Sequence, residues 1–182
     1  MALINTTTTG VLGTTVYGDG SGALTVQQNG VTQGIFGNIP AFSVYPNATF
    51  TASSSTWTIV QCNTEEFDTA SYFNNTGSTV NGVPAYSYLP TIAGYYQMNA
   101  CWSLGAGSTF SRSLCAIYKN GSMYKQGLDN TTSTATGSNI STLIYLNGTT
   151  DYASFYLYES GSGTNTINAN TTWFNGYLVK AA

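Results

Sequence analysis

The stretch Tyr152-Ala153-Ser154-Phe155-Tyr156-Leu157-Tyr158 alternates without a break. Tyr152, Ser154, Tyr156 and Tyr158 fall on one side of an extended chain, and Ala153, Phe155 and Leu157 on the other. A period of two is what a β-strand imposes, because successive side chains point to opposite faces; a helix would mix the two sets. The segment therefore reads as a strand with an aliphatic core face and an aromatic, hydroxylated outer face.

The same reading extends in both directions. Residues 94–104 form a long strand and 113–118 another, and Lys119-Asn120-Gly121-Ser122 is a tight turn because Asn-Gly accepts positive φ at low cost. Residues 123–126 return from that turn. Residues 41–45, 56–63, 86–89, 141–146 and 172–179 complete the set, with Trp57 and Ile59 on one face of 56–63 and Val60 and Cys62 on the other. Residues 65–68, Glu-Glu-Phe-Asp, read as a strand-end loop. No window sustains apolar residues at i, i+3, i+4 and i+7. About eight to ten short strands punctuated by Gly, Ser and Asn fit an all-β sandwich or jelly roll.

Residues 1–36 read differently. They are rich in glycine and poor in large apolar groups, with candidate strands at 14–17 and 23–27 joined by Gly-Asp-Gly-Ser-Gly. A hairpin with so little to bury is not stable alone. The stretch is expected to be an extended arm, with a candidate hairpin, that docks on something else. The domain expectation is thus an arm over 1–36 and a β domain over 37–182.

Composition narrows the function. Of 182 residues only 6% are charged, and there is no histidine. That removes Ser-His-Asp and Cys-His nucleophile systems and every imidazole metal site. Four Lys and Arg against seven Asp and Glu leave no basic face for phosphates, so nucleic acid is not an expected partner. The start, Met1-Ala2-Leu3-Ile4-Asn5, has no basic region and too short an apolar run for a secretory signal or a membrane helix, so no membrane partner is expected either. Cys62, Cys101 and Cys115 are an odd set without a C-x-x-C pair and read as buried reduced thiols. A surface carrying so little charge is expected to be covered in part by copies of itself or by a partner.

Chemistry-bearing groups are sparse. Glu65, Glu66 and Asp68 form the carboxylate cluster. Paired carboxylates serve glycoside hydrolysis when they line a cleft, and hard oxygens bind calcium, but this spacing supplies neither a cleft nor a full ligand set. The expectation is therefore no catalytic residue, no cofactor and no metal. Asp129 and Asp151 stand beside turns, and Arg112 is a candidate for pairing with an acid across an interface. The polar loops 74–82, 105–111 and 130–139 are the candidate recognition surface, for which a host glycan is a candidate ligand.

Four motifs in order resemble one family. Tyr88-Leu89-Pro90-Thr91-Ile92-Ala93-Gly94-Tyr95-Tyr96 is similar to the aromatic-x-Pro-x-x-x-Gly-x-Tyr signature of the C1q/TNF-like jelly roll. Residues 116–121, ending in Lys119-Asn120-Gly121, resemble its central strand and turn. Asn147-Gly148 with Asp151-Tyr152-Ala153-Ser154-Phe155 resembles its late hairpin, and Phe174-Asn175-Gly176-Tyr177-Leu178 its closing strand. The likeness spans residues 40–180. It implies a jelly roll that assembles as a compact homotrimer, with Pro90, Gly94, Tyr96, Asn120, Gly121, Phe174 and Gly176 as fold-determining positions. In such a trimer, aromatic and hydroxyl-bearing side chains suit the threefold interface, and Tyr95, Tyr118, Tyr156 and Tyr158 are the candidates.

The sequence has no collagen-like stem before the domain. Thr56-Trp57-Thr58 followed by Asn63-Thr64-Glu65-Glu66-Phe67-Asp68 resembles C1q-like heads of bacteriophage structural proteins. That likeness implies a non-enzymatic virion protein of a tailed bacteriophage. The expected form is a trimeric capsid decoration (cement) protein, made in the host cytoplasm and held on the major capsid protein or another virion protein by residues 1–36. The alternative is a receptor-binding fibre head that recognises host glycans. A leader without heptads or shaft repeats favours decoration.

Overall fold

In a computed structural model of the protein, residues 39–105, 110–131, 137–161 and 165–182 are described in full, and 16–18, 24–28 and 31–36 by their backbone. Most of the arm and the central parts of the loops 105–111 and 130–139 lie outside the described residues.

The strands, in chain order, are β1 (Val16–Gly18), β2 (Leu24–Gln28), β3 (Val31–Phe36), β4 (Ala41–Tyr45), β5 (Phe50–Ala52), β6 (Thr58–Ile59), β7 (Thr64–Asp68) and β8 (Phe73–Asn74). They continue with β9 (Ser87–Tyr88), β10 (Gly94–Ser103), β11 (Phe110–Lys119), β12 (Ser122–Gln126), β13 (Gly137–Leu146), β14 (Ala153–Gly161), β15 (Asn165–Ile167) and β16 (Trp173–Ala181). A single 3₁₀ turn, Ala169–Thr171, precedes β16. Among the described residues no helix is long and apolar enough to cross a membrane.

Two large antiparallel sheets make the body. One has five strands in the order β13-β10-β16-β4-β7; the other runs β12-β11-β14-β9-β8, with β6 also paired to β14. Their inner faces share one core. Phe42, Tyr96, Met98, Trp102 and Phe174 enter from the first sheet, and Tyr88, Cys115, Ile117, Phe155 and Leu157 from the second. Phe42 stacks on Tyr88 at 4.3 Å and meets Phe174 edge-on at 4.9 Å. The indole Nε1–H of Trp102 donates to the Leu114 carbonyl at 2.8 Å, so this large ring fills the core without stranding its donor. Tyr96, on the Pro90–Gly94 motif, donates its hydroxyl to the Ile92 carbonyl at 2.7 Å and fixes the entry to β10.

The expected turn at 119–122 is present. Asn120 (φ 52°) and Gly121 (φ 77°) both take left-handed conformations, as a two-residue hairpin of this hand requires. The Asn120 amide also donates to Asp151 Oδ1 at 2.7 Å and accepts from the Tyr152 N–H at 3.0 Å, which ties the hairpin to the loop before β14.

Four expectations change. The span 56–63 is not one strand: β6 ends at Ile59 and the chain crosses to the other sheet, where β7 begins at Thr64. Residues 65–68 are not a loop but part of that edge strand, because β4 offers them a free edge and an edge strand tolerates charge. The arm holds not a hairpin alone but a three-stranded sheet β1-β2-β3, the third strand falling on residues with no clean alternation. The polar loop 130–139 ends early, since β13 starts at Gly137 to match the full length of β10.

Candidate functional site

A sandwich has two outer faces, and here they differ. On the five-stranded sheet the outward residues are Tyr95, Gln97, Asn99 and Cys101 of β10, Leu143 and Tyr145 of β13, and Trp173, Asn175, Tyr177 and Val179 of β16. Register places Tyr95 opposite Tyr145, Gln97 opposite Leu143 and Tyr177, and Asn99 opposite Ser141 and Asn175. Tyr95 is 48% exposed, Tyr177 48%, Leu143 52% and Val179 53%. Exposed apolar side chains scattered singly mean little, but these are neighbours on three adjacent strands.

A polar row crosses the face beside them. Gln97 Nε2 donates to Ser141 Oγ at 2.9 Å and to Asn99 Oδ1 at 3.1 Å, and Ser141 Oγ donates to the same Asn99 oxygen at 2.8 Å. Asn99 Nδ2 donates to Asn175 Oδ1 at 3.0 Å. Across β4, Ser43 Oγ donates to Glu66 Oε2 at 2.7 Å. Beyond this row an open pocket of about 400 Å³ is lined by Ser43, Tyr45, Glu66, Asn170, Trp173 and Asn175. The face thus carries an aromatic end, a hydrogen-bonded middle and a socket with a carboxylate at its rim.

The six-stranded sheet hides its aromatic residues. Tyr118 stacks on Tyr156 at 4.0 Å, while Trp57 packs against Tyr158 at 5.5 Å and Tyr118 at 6.1 Å. The Arg112 guanidinium lies over Tyr158 at 5.8 Å. Leu114 and Ala116, on the outward side of β11, are buried beneath these rings. Burial raises the Tyr118 and Tyr156 hydroxyls above the ordinary tyrosine value. The four candidate tyrosines therefore do not form one patch: Tyr118, Tyr156 and Tyr158 sit together here, and Tyr95 lies on the opposite face.

Other singled-out groups find local partners. Arg112 holds Asp129 by two bonds, Nε to Oδ1 at 3.0 Å and Nη2 to Oδ2 at 2.7 Å, so its acid lies within its own chain. That hydrogen bonding draws the Asp129 carboxyl below its ordinary value. Asp151 does not stand alone either: Lys119 Nζ approaches Oδ2 at 2.8 Å. Partial burial opposes its charge, but the bonds from Asn120, Lys119 and the Asn147 N–H outweigh that and lower its pKa.

Asp68 accepts from the Ala70 and Phe73 N–H groups and so organises the loop after β7. Among the described residues no three His, Cys, Asp or Glu side chains converge on a common point. Cys62 and Cys115 are buried free thiols and Cys101 is half-buried on the outer face of β10. Burial lifts the Cys115 thiol to about 11, far from reactive thiolate chemistry.

Leu143, Tyr145, Tyr177 and Val179 escaped the sequence reading. The signal for Tyr177 and Val179 was present in residues 173–179, where Trp, Tyr and Val alternate with Phe, Gly and Leu. A strand apolar on both faces needs cover on both.

Two antiparallel sheets with these connections define a jelly roll of the TNF/C1q-like kind. Among solved structures the chain is similar to Eiger TNF from S. frugiperda, with 8% identity, a TM-score of 0.53, and 80% of this chain and 95% of that one covered. It is similar to murine APRIL at pH 5.0, with 10% identity, a TM-score of 0.52, and coverage of 78% and 99%. It also resembles the PRD1 vertex protein P5, with 16% identity, a TM-score of 0.51, and coverage of 79% and 99%. At such identities the likeness is one of fold. No protein-family model matches the chain, and no curated protein does.

Proposed function

We propose that the protein is a non-enzymatic structural component of a virus particle, a homotrimer built around the outer face of the five-stranded sheet. The observation that carries this reading is that face itself. Tyr95, Leu143, Tyr145, Tyr177 and Val179 lie open to water on one protomer, next to a row of amides and hydroxyls already ordered by hydrogen bonds. Apolar area supplies affinity on association, and a preorganised polar row fixes register at little further entropic cost. The fold likeness to a vertex protein, P5 of PRD1, supports a place in a virion.

Within that reading the particle is a tailed bacteriophage, and the chain decorates its capsid, gripping the shell through residues 1–36. Three arms on one trimer multiply a weak single contact by avidity. Immunogold labelling of intact particles with an antibody against residues 37–182 tests this. Label over the shell is the expected result. Label confined to fibre tips moves the protein to the receptor-binding alternative, and unlabelled particles overturn the virion reading.

A further inference from the structure

Resting on the self-association just proposed, we propose that Lys125 of one protomer pairs with Glu66 of its partner, seating the β12 corner of each copy in the socket of the next. Of the four cationic side chains, Arg112 is held by Asp129 and Lys119 by Asp151. Lys180 stands opposite Tyr95, at the aromatic end of the face. Lys125, on a strand exposed at every position, has no ion pair among the described residues; its ammonium lies over the ring of its neighbour Tyr124 at 5.6 Å, at an exposed site where such a contact is weak. At the other edge of the sandwich β7 carries Glu65, Glu66 and Asp68, and Glu66 accepts only the Ser43 hydroxyl among the described residues.

Around the two charges stand an exposed apolar corner and a pocket. Lys125 projects from a corner carrying exposed Met123, Tyr124 and Leu128, while Glu66 stands at the rim of a pocket walled by Tyr45 and Trp173. An exposed apolar corner at one edge meeting a pocket at the opposite edge is a head-to-tail contact, which closes into a ring when the rotation between copies closes, as in the trimer proposed.

Height along the strands makes the pairing specific. The proposal sets the trimer axis along the strands, and rotation about such an axis carries each residue to the same height on the next copy. The Tyr124 hydroxyl donates to the Leu143 carbonyl at 3.1 Å, and the Leu128 N–H donates to Asn139 O at 3.3 Å, which places Lys125 between the levels of Leu143 and Ser141. Those levels correspond to Gln97 and Asn99 on β10, to Tyr177 and Asn175 on β16, and to Ala41 and Ser43 on β4. Ser43 is the residue that holds Glu66. The cation of one edge and the acid of the other, each without an ion pair among the described residues, thus stand at one level of the strand register.

The test uses the full chain and its charge reversals Lys125→Glu, Glu66→Lys and both together, with trimer dissociation followed by sedimentation and native mass spectrometry at low salt. Each single reversal is expected to raise the dissociation constant about tenfold or more, and the double reversal to return it to within about threefold of the parent. Both side chains are exposed, so circular dichroism is expected to stay unchanged. If a reversal disturbs its strand, Lys125→Gln and Glu66→Gln are each expected to remove most of the salt dependence of assembly. Single variants that assemble like the parent, or a double variant no better than the sum of the singles, overturn the pairing while leaving the trimer standing. A parent chain that stays monomeric overturns the assembly reading and this pairing with it.

Discussion

The two outer faces are built from the same residue types and use them in opposite ways. On the six-stranded sheet, Trp57, Tyr118, Tyr156 and Tyr158 pack their rings on one another and are each half-buried, so part of the aromatic area is covered within the protomer. On the five-stranded sheet, Tyr95 and Tyr145 touch at 5.5 Å, and Tyr95, Tyr177, Leu143 and Val179 are all more than a third exposed. What separates the faces among the described residues is the segment at β6: pairing beside β14, it sets the Trp57 ring against Tyr118 and Tyr158. An aromatic strand face is therefore not an interface by composition. What matters for the proposed assembly is how much of that face the protomer leaves exposed.

The largest expected effect removes both faces at once. A Cβ on Gly176 would sit 2.6 Å from Met98 Sδ and 2.8 Å from the Gln97 carbonyl, and one on Gly94 would sit 2.5 Å from the Lys180 carbonyl. Gly176→Asp and Gly94→Val are each expected to cost about 3 kcal/mol or more, seen as a large fall in melting temperature with loss of assembly. Next come the substitutions that separate the faces. Trp57→Ala is expected to cost about 3 kcal/mol of protomer stability while the particle mass in solution stays trimeric. Tyr177→Asp is expected to do the reverse, leaving a folded monomer in sedimentation. If both variants change the same observable, the distinction between the faces fails.

Smaller effects come from two acids of opposite sign. Glu159 is fully buried, accepts one bond from Asn165, and has its pKa raised by burial. A raised folded pKa means the native state binds the proton more tightly, so stability falls as pH rises through the window above the ordinary glutamate value. Glu159→Gln is expected to flatten that fall in urea titrations carried upward in pH from the ordinary glutamate value, about 4.3. Asp151 behaves oppositely: its lowered pKa gives stability present at neutral pH and lost as pH falls below the ordinary carboxylate value, about 4, through the lower folded value. Asp151→Asn is expected to cost about 1 kcal/mol at neutral pH and to remove that acid sensitivity. Deleting residues 1–36 is expected to leave the trimer intact and abolish particle binding, and retained binding in a pelleting assay would contradict the docking arm.

The fold was legible because its signals are local. Alternation in 152–158 and 94–103 and the Asn120-Gly121 turn needed no tertiary knowledge. Where pairing depended on an absent neighbour, the reading missed: 64–68 is a strand because β4 lies beside it, and β5 and β15 exist because they meet each other. The site was legible only in part for the same reason. Alternation says which residues share a face, as it does for Tyr156 and Tyr158, but not whether another segment covers that face. Tyr95 and Tyr118 look alike in sequence, and only the path of residues 56–63 tells them apart. The polar row from Ser141 to Glu66 joins strands far apart in the chain and leaves no local mark.

The most direct test is tyrosine-selective radical footprinting of the full-length protein at assembling concentration and after dilution to the monomer. Tyr95, Tyr145 and Tyr177 are expected to be protected in the assembly and labelled on dilution, while Tyr156 and Tyr158 label equally slowly in both. Labelling of Tyr95, Tyr145 and Tyr177 that does not change with concentration, in a sample shown to be trimeric, would contradict the claim that the five-stranded face is where the copies meet.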